Sequence, residues 1–367
     1  MKVLFWAERF LPDIGGVEIF SGHLLPVLRE RYRHKIEVVC NSAAATLLDD
    51  QWCGFPVHRL PFHRALLSRR PAAIIDLRRV IGSLVERFDP DLIHLNTSQP
   101  SLFFLGREIG KPRVYTGHEP VLAGESNSLL GRTLRGSAFI TAVSGALLGD
   151  LIRLCPSIER RSAVVPCGLP VPPSRSCPVP LGPAHFLCVG RVIEEKGYEL
   201  AVRALISVLA SGRQAKLSIV GDGAALPRLK QLVRESGIGA AVSFLGRIPP
   251  SDVSSVLCRA TAIIVPSRMP EPLGLVVLEA AQLRRPAIAA RTGGLPEVVR
   301  DGESGLLFSV ENVPELADRM SQLIDSPELV ERLGAGARAR VIRDFSLEEC
   351  AAAYDRVYLN VGRAVDP

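Results

Sequence analysis

The stretch Val265-Pro266-Ser267-Arg268-Met269-Pro270-Glu271-Pro272-Leu273-Gly274-Leu275-Val276-Val277-Leu278-Glu279 reads as the end of one strand, a turn and the start of a helix. The unpaired amides at such a helix start form an anion site. Glu271 stands just before that start and Glu279 more than one turn inside it. Eight residues of helical rise separate the two by up to about 12 Å. A hydrolytic acid/base pair needs roughly 5–9.5 Å, so hydrolysis of a glycosidic bond fits poorly. Two carboxylates flanking a phosphate site suit instead a ligand with a diphosphate in the middle and hydroxyl-rich groups at both ends. Taken by itself, Glu279 reads as a carboxylate on a helix surface.

Working outward, strand-like runs alternate with helical patterns throughout, which predicts parallel sheets covered by helices on both faces. In the first half the strands are Val3–Phe5, Ile36–Cys40, Leu92–Leu95, Val114–Tyr115, Phe139–Val143 and Ala163–Val165. Those of the second are Phe186–Val189, Lys216–Val220, Val242–Phe244, Ala262–Val265, Pro286–Ala289 and Gly305–Phe308. The proline-dense segment between them reads as a semi-rigid linker. Two doubly wound domains joined this way are expected to face each other across a cleft at the carboxyl ends of their strands, where open α/β sheets bind ligands.

Several loops carry candidate residues. Gly190-Arg191 ends a strand, and Lys196-Gly197 precedes a helix, placing two cations near one loop. Arginine would grip a diphosphate by a forked contact and lysine as a point charge; alone, the loop reads as solvated mixed charge. Gly221-Asp222-Gly223 resembles a dinucleotide loop without its third glycine, a weak signal. Arg291-Thr292-Gly293-Gly294-Leu295-Pro296-Glu297 and Asp301–Phe308 read as fold-shaping turns. In the first half, Gly15-Gly16 opens a helix with Glu18, and His118-Glu119 and Ser144-Gly145 each follow a strand. A lone histidine is more often a structural hydrogen-bonder than a catalyst.

Composition excludes several classes. The chain is 47% hydrophobic and 22% charged, as in globular proteins, and its 367 residues suit two domains. No apolar run approaches the length needed to span a bilayer, and Met1–Ala7 lacks the features of a signal peptide. The expected location is the cytoplasm, with the inner face of the membrane as an option within it. Of the +6 net charge, residues 1–170 hold most, with 21 basic against 16 acidic residues, while the remainder has 23 against 22. Aromatics total only 5% and do not interleave with the basic residues, which argues against nucleic acid. The segment from His63 to Arg79, with Arg69, Arg70, Arg78 and Arg79, mixes cations with aliphatics and is either an ordinary solvated helix face or a contact for anionic lipid. The eight cysteines form no metal-ligand pattern and read as reduced, small hydrophobes. Ser346 and Glu349 form a capping box for a helix whose apolar face runs through Tyr354, Val357, Tyr358 and Val361.

Together, the Gly15-Gly16 loop, His118, Ser144, Gly190-Arg191 with Lys196-Gly197, Glu271 with Glu279 eight residues on, Gly293-Gly294-Leu295-Pro296-Glu297 and Gly302-Glu303-Ser304-Gly305 resemble the family-4 retaining glycosyltransferases of the GT-B fold over nearly the whole chain. The resemblance implies two Rossmann-like doubly wound domains facing a central cleft. It further implies a nucleotide-sugar donor, UDP-linked before GDP-linked, and an acceptor hydroxyl. The acceptor itself is not named by the sequence; the basic excess of residues 1–170 suits an anionic or lipid-linked one. In that family pattern Arg191 and Lys196 bind the donor pyrophosphate, Glu271 with the amides of Leu273, Gly274 and Leu275 holds the sugar, and Glu279 holds the ribose. Gly190 and Gly221 line the donor, the backbone at Arg247 and Ile248 meets the base, Gly15 and Gly16 lie by the phosphates, and His118 touches the sugar. Glu18, Glu119 and Ser144 fall on the acceptor side. The resemblance implies no metal and no cofactor, the nucleotide-sugar being a substrate.

The domain limits expected are 1–168, a linker at 169–184, a donor domain at 185–345 and a helix at 346–367 crossing back to the first domain. One departure is Cys167, where the family has asparagine; if that asparagine braces the interdomain hinge, cysteine weakens the bracing. Two other readings stay open: an epimerase or synthase of the same fold, or a partner subunit without catalysis.

Overall fold

A computed structural model describes residues 1–42, 48–106, 109–121, 126–171, 177–180 and 182–363. It resolves into two compact units, Met1–Pro170 with Leu347–Pro367, and Val171–Ser346. Part of the proline-dense segment, 172–176 and 181, lies outside the described residues.

The first unit contains β1 (Lys2–Trp6), α1 (Gly16–Glu30), β2 (Lys35–Asn41), β3 (Leu48–Trp52), β4 (Phe55–Leu60), α2 (Phe62–Leu67), α3 (Pro71–Phe88), β5 (Leu92–Leu95), β6 (Arg113–Gly117), α4 (Leu129–Gly136), β7 (Phe139–Ala142), α5 (Gly145–Leu154) and β8 (Ser162–Val164). Its sheet runs β3-β4-β2-β1-β5-β6-β7-β8. All pairings are parallel except β3 with β4. Val3, Leu4, Phe5 and Trp6 are at most 1% exposed, because a central parallel strand is covered on both faces and so reads as an unbroken apolar run. The hairpin of β3 and β4 is absent from the sequence reading. Leu48-Asp49-Asp50-Gln51-Trp52 is a polar edge strand without alternation. Its turn, Cys53-Gly54, has both φ angles positive (46° and 78°), the geometry of a tight hairpin but made without the usual Asn-Gly.

The second unit contains β9 (Ala184–Val189), α6 (Tyr198–Ala210), β10 (Ala215–Val220), α7 (Leu226–Glu235), β11 (Val242–Gly246), α8 (Pro250–Cys258), β12 (Ala262–Val265), α9 (Leu275–Gln282), β13 (Ala287–Ala290), α10 (Leu295–Val298), β14 (Gly305–Phe308), α11 (Val313–Asp325) and α12 (Pro327–Asp344). The strand order is β11-β10-β9-β12-β13-β14, all parallel. That is the doubly wound order in which chain direction across the sheet reverses between the first strand and the fourth, here β9 and β12.

The cysteine expectation needs correction. Cys177 and Cys258 are joined in a disulfide, their Cα atoms 5.5 Å apart. Cys40, Cys53, Cys155, Cys167, Cys188 and Cys350 are unbonded, and all but Cys53 are buried. Spacing hid the bond because 81 residues separate the partners, one of them in the proline-dense segment. The Arg285 guanidinium also donates to the carbonyls of Cys177 and Pro178, so this part of the segment lies against the second unit.

After Ser346 the chain re-enters the first unit as α13 (Leu347–Arg363). Its buried residues, Leu347, Cys350, Ala351, Tyr354, Val357, Tyr358 and Val361, recur every three or four positions and pack on α1 and β5. A polar chain lies beneath: Tyr358 Oη is 2.6 Å from His94 Nδ1, His94 Nε2 is 2.7 Å from Thr116 Oγ1, and Thr116 reaches Thr141 at 2.6 Å. Burial pushes His94 down to about 3, so the ring is neutral and gives one donor and one acceptor to this chain. Removing the hydroxyl alone strands a fully buried ring nitrogen. Tyr358→Phe is therefore expected to lower unfolding stability by about 1–3 kcal/mol in urea titrations, whereas Leu359→Ala, on the exposed side of the same helix, changes it little.

Candidate functional site

In the second unit the loops after β9, β10, β12 and β13 converge. The amide of Arg268 donates to the carbonyl of Glu195 at 2.8 Å, and that of Gly294 to Glu271 at 2.7 Å. The backbones approach too closely for side chains at two positions. At Gly221 (φ 129°) a Cβ would lie 1.8 Å from the Gly190 oxygen, and at Gly293 (φ 56°) 2.2 Å from the Glu271 oxygen. The turn that the sequence assigned to fold-shaping thus positions Glu271.

Glu271 is half-buried and its Oε1 accepts from Ser267 Oγ at 2.8 Å and from Lys196 Nζ. Lys196 reaches it from the loop after β9, so the ion pair closes over the point where strand order reverses. Arg191 lies five residues before Lys196, exposed, and pairs with no carboxylate among the described residues. Under this surface the Tyr198 hydroxyl lies close to Gly190, where a Cβ would be 2.9 Å from it. Burial holds the Tyr198 phenol well above its ordinary value, so it stays a neutral hydroxyl. Ser267 and Tyr198 were missed as site residues; a serine four residues before Glu271, on the same strand-to-helix turn, is the signal that pointed to the first.

Gly274, at φ 94°, caps α9, and Leu273 before it is buried. Leu275 begins the helix half-buried. Glu279, also half-buried, has no hydrogen-bond or ion-pair partner among the described residues, and burial pushes its carboxyl up to about 7. Arg247 is exposed and Ile248 half-buried after β11, beside Gly246, whose carbonyl takes the Gly221 amide at 2.7 Å. Gly190, Arg191, Lys196, Gly221, Glu271 and Gly274 therefore belong to one group of loops at the carboxyl ends of the strands. Chemically the group offers two cations, a helix N-terminus and an acceptor-only carboxylate, which suits a polyanion bearing hydroxyls.

The first unit treats its candidates differently. Gly15 caps α1, Gly16 begins it, and the Glu18 carboxylate folds back over Gly15 while pairing with Arg9 at 3.2 Å. Ser144 is fully buried and caps α5 by accepting from the Leu147 amide, so its hydroxyl is committed to the fold. Glu119 accepts from Ser98 at 2.5 Å and from Gln99 at 2.7 and 2.8 Å, tying the loop after β6 to that after β5. His118 is half-buried against the Phe20 ring, with Nε2 2.7 Å from Asn96 Oδ1. The Asn96 amide nitrogen donates to Ser21 at 3.2 Å, which leaves its oxygen as acceptor and assigns the ring proton to Nε2. Nδ1 then faces Cys167 Sγ at 3.9 Å. Burial pushes His118 down to about 4 and holds the Cys167 thiol well above its usual range, so both are neutral. Cys167, marked by the sequence as a departure, sits beside the histidine, and Asn96 is the positioning residue the sequence did not reveal.

Glu279 links the stability of the fold to pH. Between pH of about 4.5 and 7 the folded chain keeps a proton that the unfolded chain has released, so this group's contribution to stability falls as pH rises through that window. Glu279→Gln imitates the protonated form. It is expected to raise the melting temperature at pH 8 and to leave it almost unchanged at pH 4.5, read by calorimetry at both pH values.

Comparison with known proteins adds the following. Residues 14–171 match the model described as Glycosyltransferase Family 4, and residues 175–340 that described as Glycosyl transferases group 1. The alpha-D-kanosaminyltransferase of Streptomyces kanamyceticus is 32% identical over 176 residues, 48% of this chain and 45% of that one. The chain thus spans about half the length of the first curated relatives it matches. A GDP-mannose-dependent alpha-(1-6)-phosphatidylinositol monomannoside mannosyltransferase of Mycobacterium tuberculosis is 26% identical, with 96% of both chains covered. Among solved structures, the Anabaena protein HepE in complex with UDP and glucose superposes with a TM-score of 0.78 at 21% identity, covering 98% of this chain and 100% of that one.

Proposed function

Since the chain belongs to the family-4 glycosyltransferases of the GT-B fold, we propose that it moves a hexosyl group from a nucleotide-sugar, with retention at the anomeric carbon and without a metal, to an acceptor hydroxyl. The observation that carries this is the Lys196–Glu271 pair, closed over the strand-order reversal, with Arg191 on the same loop as Lys196 and unpaired among the described residues. A donor diphosphate takes Lys196 from Glu271 and adds Arg191, and Glu271 is released to accept from the sugar hydroxyls. Glu279 holds the ribose hydroxyls, the amides of Leu273 to Leu275 serve the sugar, and the backbone at Arg247 and Ile248 meets the base. In the first unit Gly15, Gly16 and His118 are the residues we assign to ligand, with Glu18 and Glu119 toward the acceptor. UDP is the favoured carrier, in line with the UDP bound by HepE, and GDP the second, in line with the mannosyltransferase.

In the chemical step the bond from the anomeric carbon to the phosphate oxygen breaks and its electron pair leaves with the nucleoside diphosphate. The acceptor oxygen bonds the anomeric carbon from the same face and passes its proton to the departing phosphate. Arg191 and Lys196 stabilise the charge that develops on the leaving group. Incubation with UDP- and GDP-sugars and a panel of acceptors is expected to release free nucleoside diphosphate. Lys196→Ala should lower kcat about 10²–10³-fold, and release from no donor would overturn the activity.

The acceptor is proposed to be anionic or lipid-linked and met at a membrane surface. Leu67, Ile75 and Phe103 are 81%, 50% and 41% exposed, on α2, α3 and the turn Pro100–Phe104, which pack together. Arg64 on α2, Arg78 and Arg79 on α3, and Arg69 and Arg70 in the connection between them are also exposed. Apolar tips ringed by cations match a bilayer with anionic headgroups. No helix among the described residues is long and apolar enough to cross a membrane. Co-sedimentation is expected with phosphatidylglycerol-containing vesicles and not with pure phosphatidylcholine. Replacing Arg69, Arg70, Arg78 and Arg79 by Gln should abolish it; sedimentation unchanged by the replacement removes this contact.

A further inference from the structure

Arg285 is only 1% exposed. Its Nη2 donates to three carbonyls, of Cys177 at 2.9 Å, Pro178 at 2.7 Å and Cys258 at 2.9 Å. Its Nε and Nη1 are buried without a hydrogen-bond partner among the described residues. No carboxylate pairs with it among the described residues, and burial alone moves its titration, downward. Both Arg285 and Arg340 line a cavity together with Ser304 and the apolar Val277, Leu278 and Phe345. Arg340 is anchored through Nε and Nη2 to the carbonyls of Val298 and Glu297, at 3.1 and 2.5 Å. Its Nη1 is buried without a hydrogen bond, although Asp344 lies 3.2 Å away. The Ser304 hydroxyl oxygen accepts the Arg300 amide at 2.8 Å, which leaves its own O–H to donate.

A buried guanidinium without a counter-charge costs several kcal/mol. A water satisfies its N–H groups and leaves the charge uncompensated; an anion does both. The enclosed part of the cavity measures about 10 Å³, the scale of one water, so phosphate and sulfate are excluded and a monatomic anion is the charged occupant nearest in size. We infer that the cavity between Arg285 and Arg340 is a site for a small monovalent anion of chloride size. The apolar walls strengthen its attraction to Arg285, while Arg340, whose charge Asp344 already balances, contributes an N–H. Because Val277, Leu278 and Ala281 of α9 form one wall, the anion braces from behind the helix whose start and whose Glu279 belong to the candidate site.

The test is thermal unfolding of the full chain at fixed ionic strength, with sodium chloride replacing sodium gluconate. The melting temperature is expected to rise and saturate, by about 2–4 °C at tenfold excess over the dissociation constant. Sulfate should not reproduce the rise, Arg285→Met should abolish it, and Ser304→Ala should shift it to higher chloride. A melting temperature indifferent to chloride, or a full response in Arg285→Met, would overturn the assignment. If Arg285→Met does not fold, chloride-35 line broadening of the wild type decides. Excess broadening displaced by bromide supports the site, and its absence shows that only water occupies the cavity.

Discussion

Everything assigned to the second unit depends on how closely four strand-end loops approach one another. The loops after β9 and β12 lie on either side of the reversal in strand order, and those after β10 and β13 press their backbones onto them. With 1.8 Å between a notional Cβ at Gly221 and the Gly190 oxygen, no side chain larger than hydrogen is admitted. This absence of side chains brings Lys196, carried by one loop, within bonding reach of Glu271, carried by another. A looser arrangement would leave the same residues solvated and independent.

The electrostatics of the unit follow from the same crowding. Lys196 and Glu271 compensate one another, Arg191 stays in water, and Glu279 stands half-buried a turn inside α9. Without a cationic partner among the described residues and half removed from water, its carboxyl holds its proton to about neutrality. Such a group weakens the folded state at alkaline pH, a cost that natural sequences retain where a ligand requires the group. Arg285 is the cationic counterpart, buried with its Nε and Nη1 donors unmet among the described residues, and lines a cavity with Val277, Leu278 and Ala281 of α9.

Much of the fold was legible because buried parallel strands are apolar on both faces and leave continuous signals, as in Val3–Phe5 or Ala262–Val265. The hairpin of β3 and β4 was not, since an edge strand such as Leu48–Trp52 needs no apolar face and its Cys-Gly turn has no diagnostic composition. The disulfide was hidden for a different reason: pairing across 81 residues is a property of the tertiary arrangement. At the candidate site, charged residues following strands could be recognised from spacing. Their supports could not, because Ser267, Tyr198 and Asn96 act through contacts with residues distant in sequence. Ser144 shows the converse error of scale, a residue in a recognisable pattern whose hydroxyl is used up inside the protein.

The return of α13 to the first unit orders events during synthesis. Tyr358 bonds His94 from 264 positions further along the chain, and the whole of the second unit lies between them. On a ribosome, Val171–Ser346 emerges and can close its own sheet while the first unit still lacks a helix on β5 and α1. The usual rule that the amino-terminal domain matures first is thereby inverted. Until α13 arrives, the nascent chain exposes an apolar face around a buried histidine, the surface on which a holding chaperone would act.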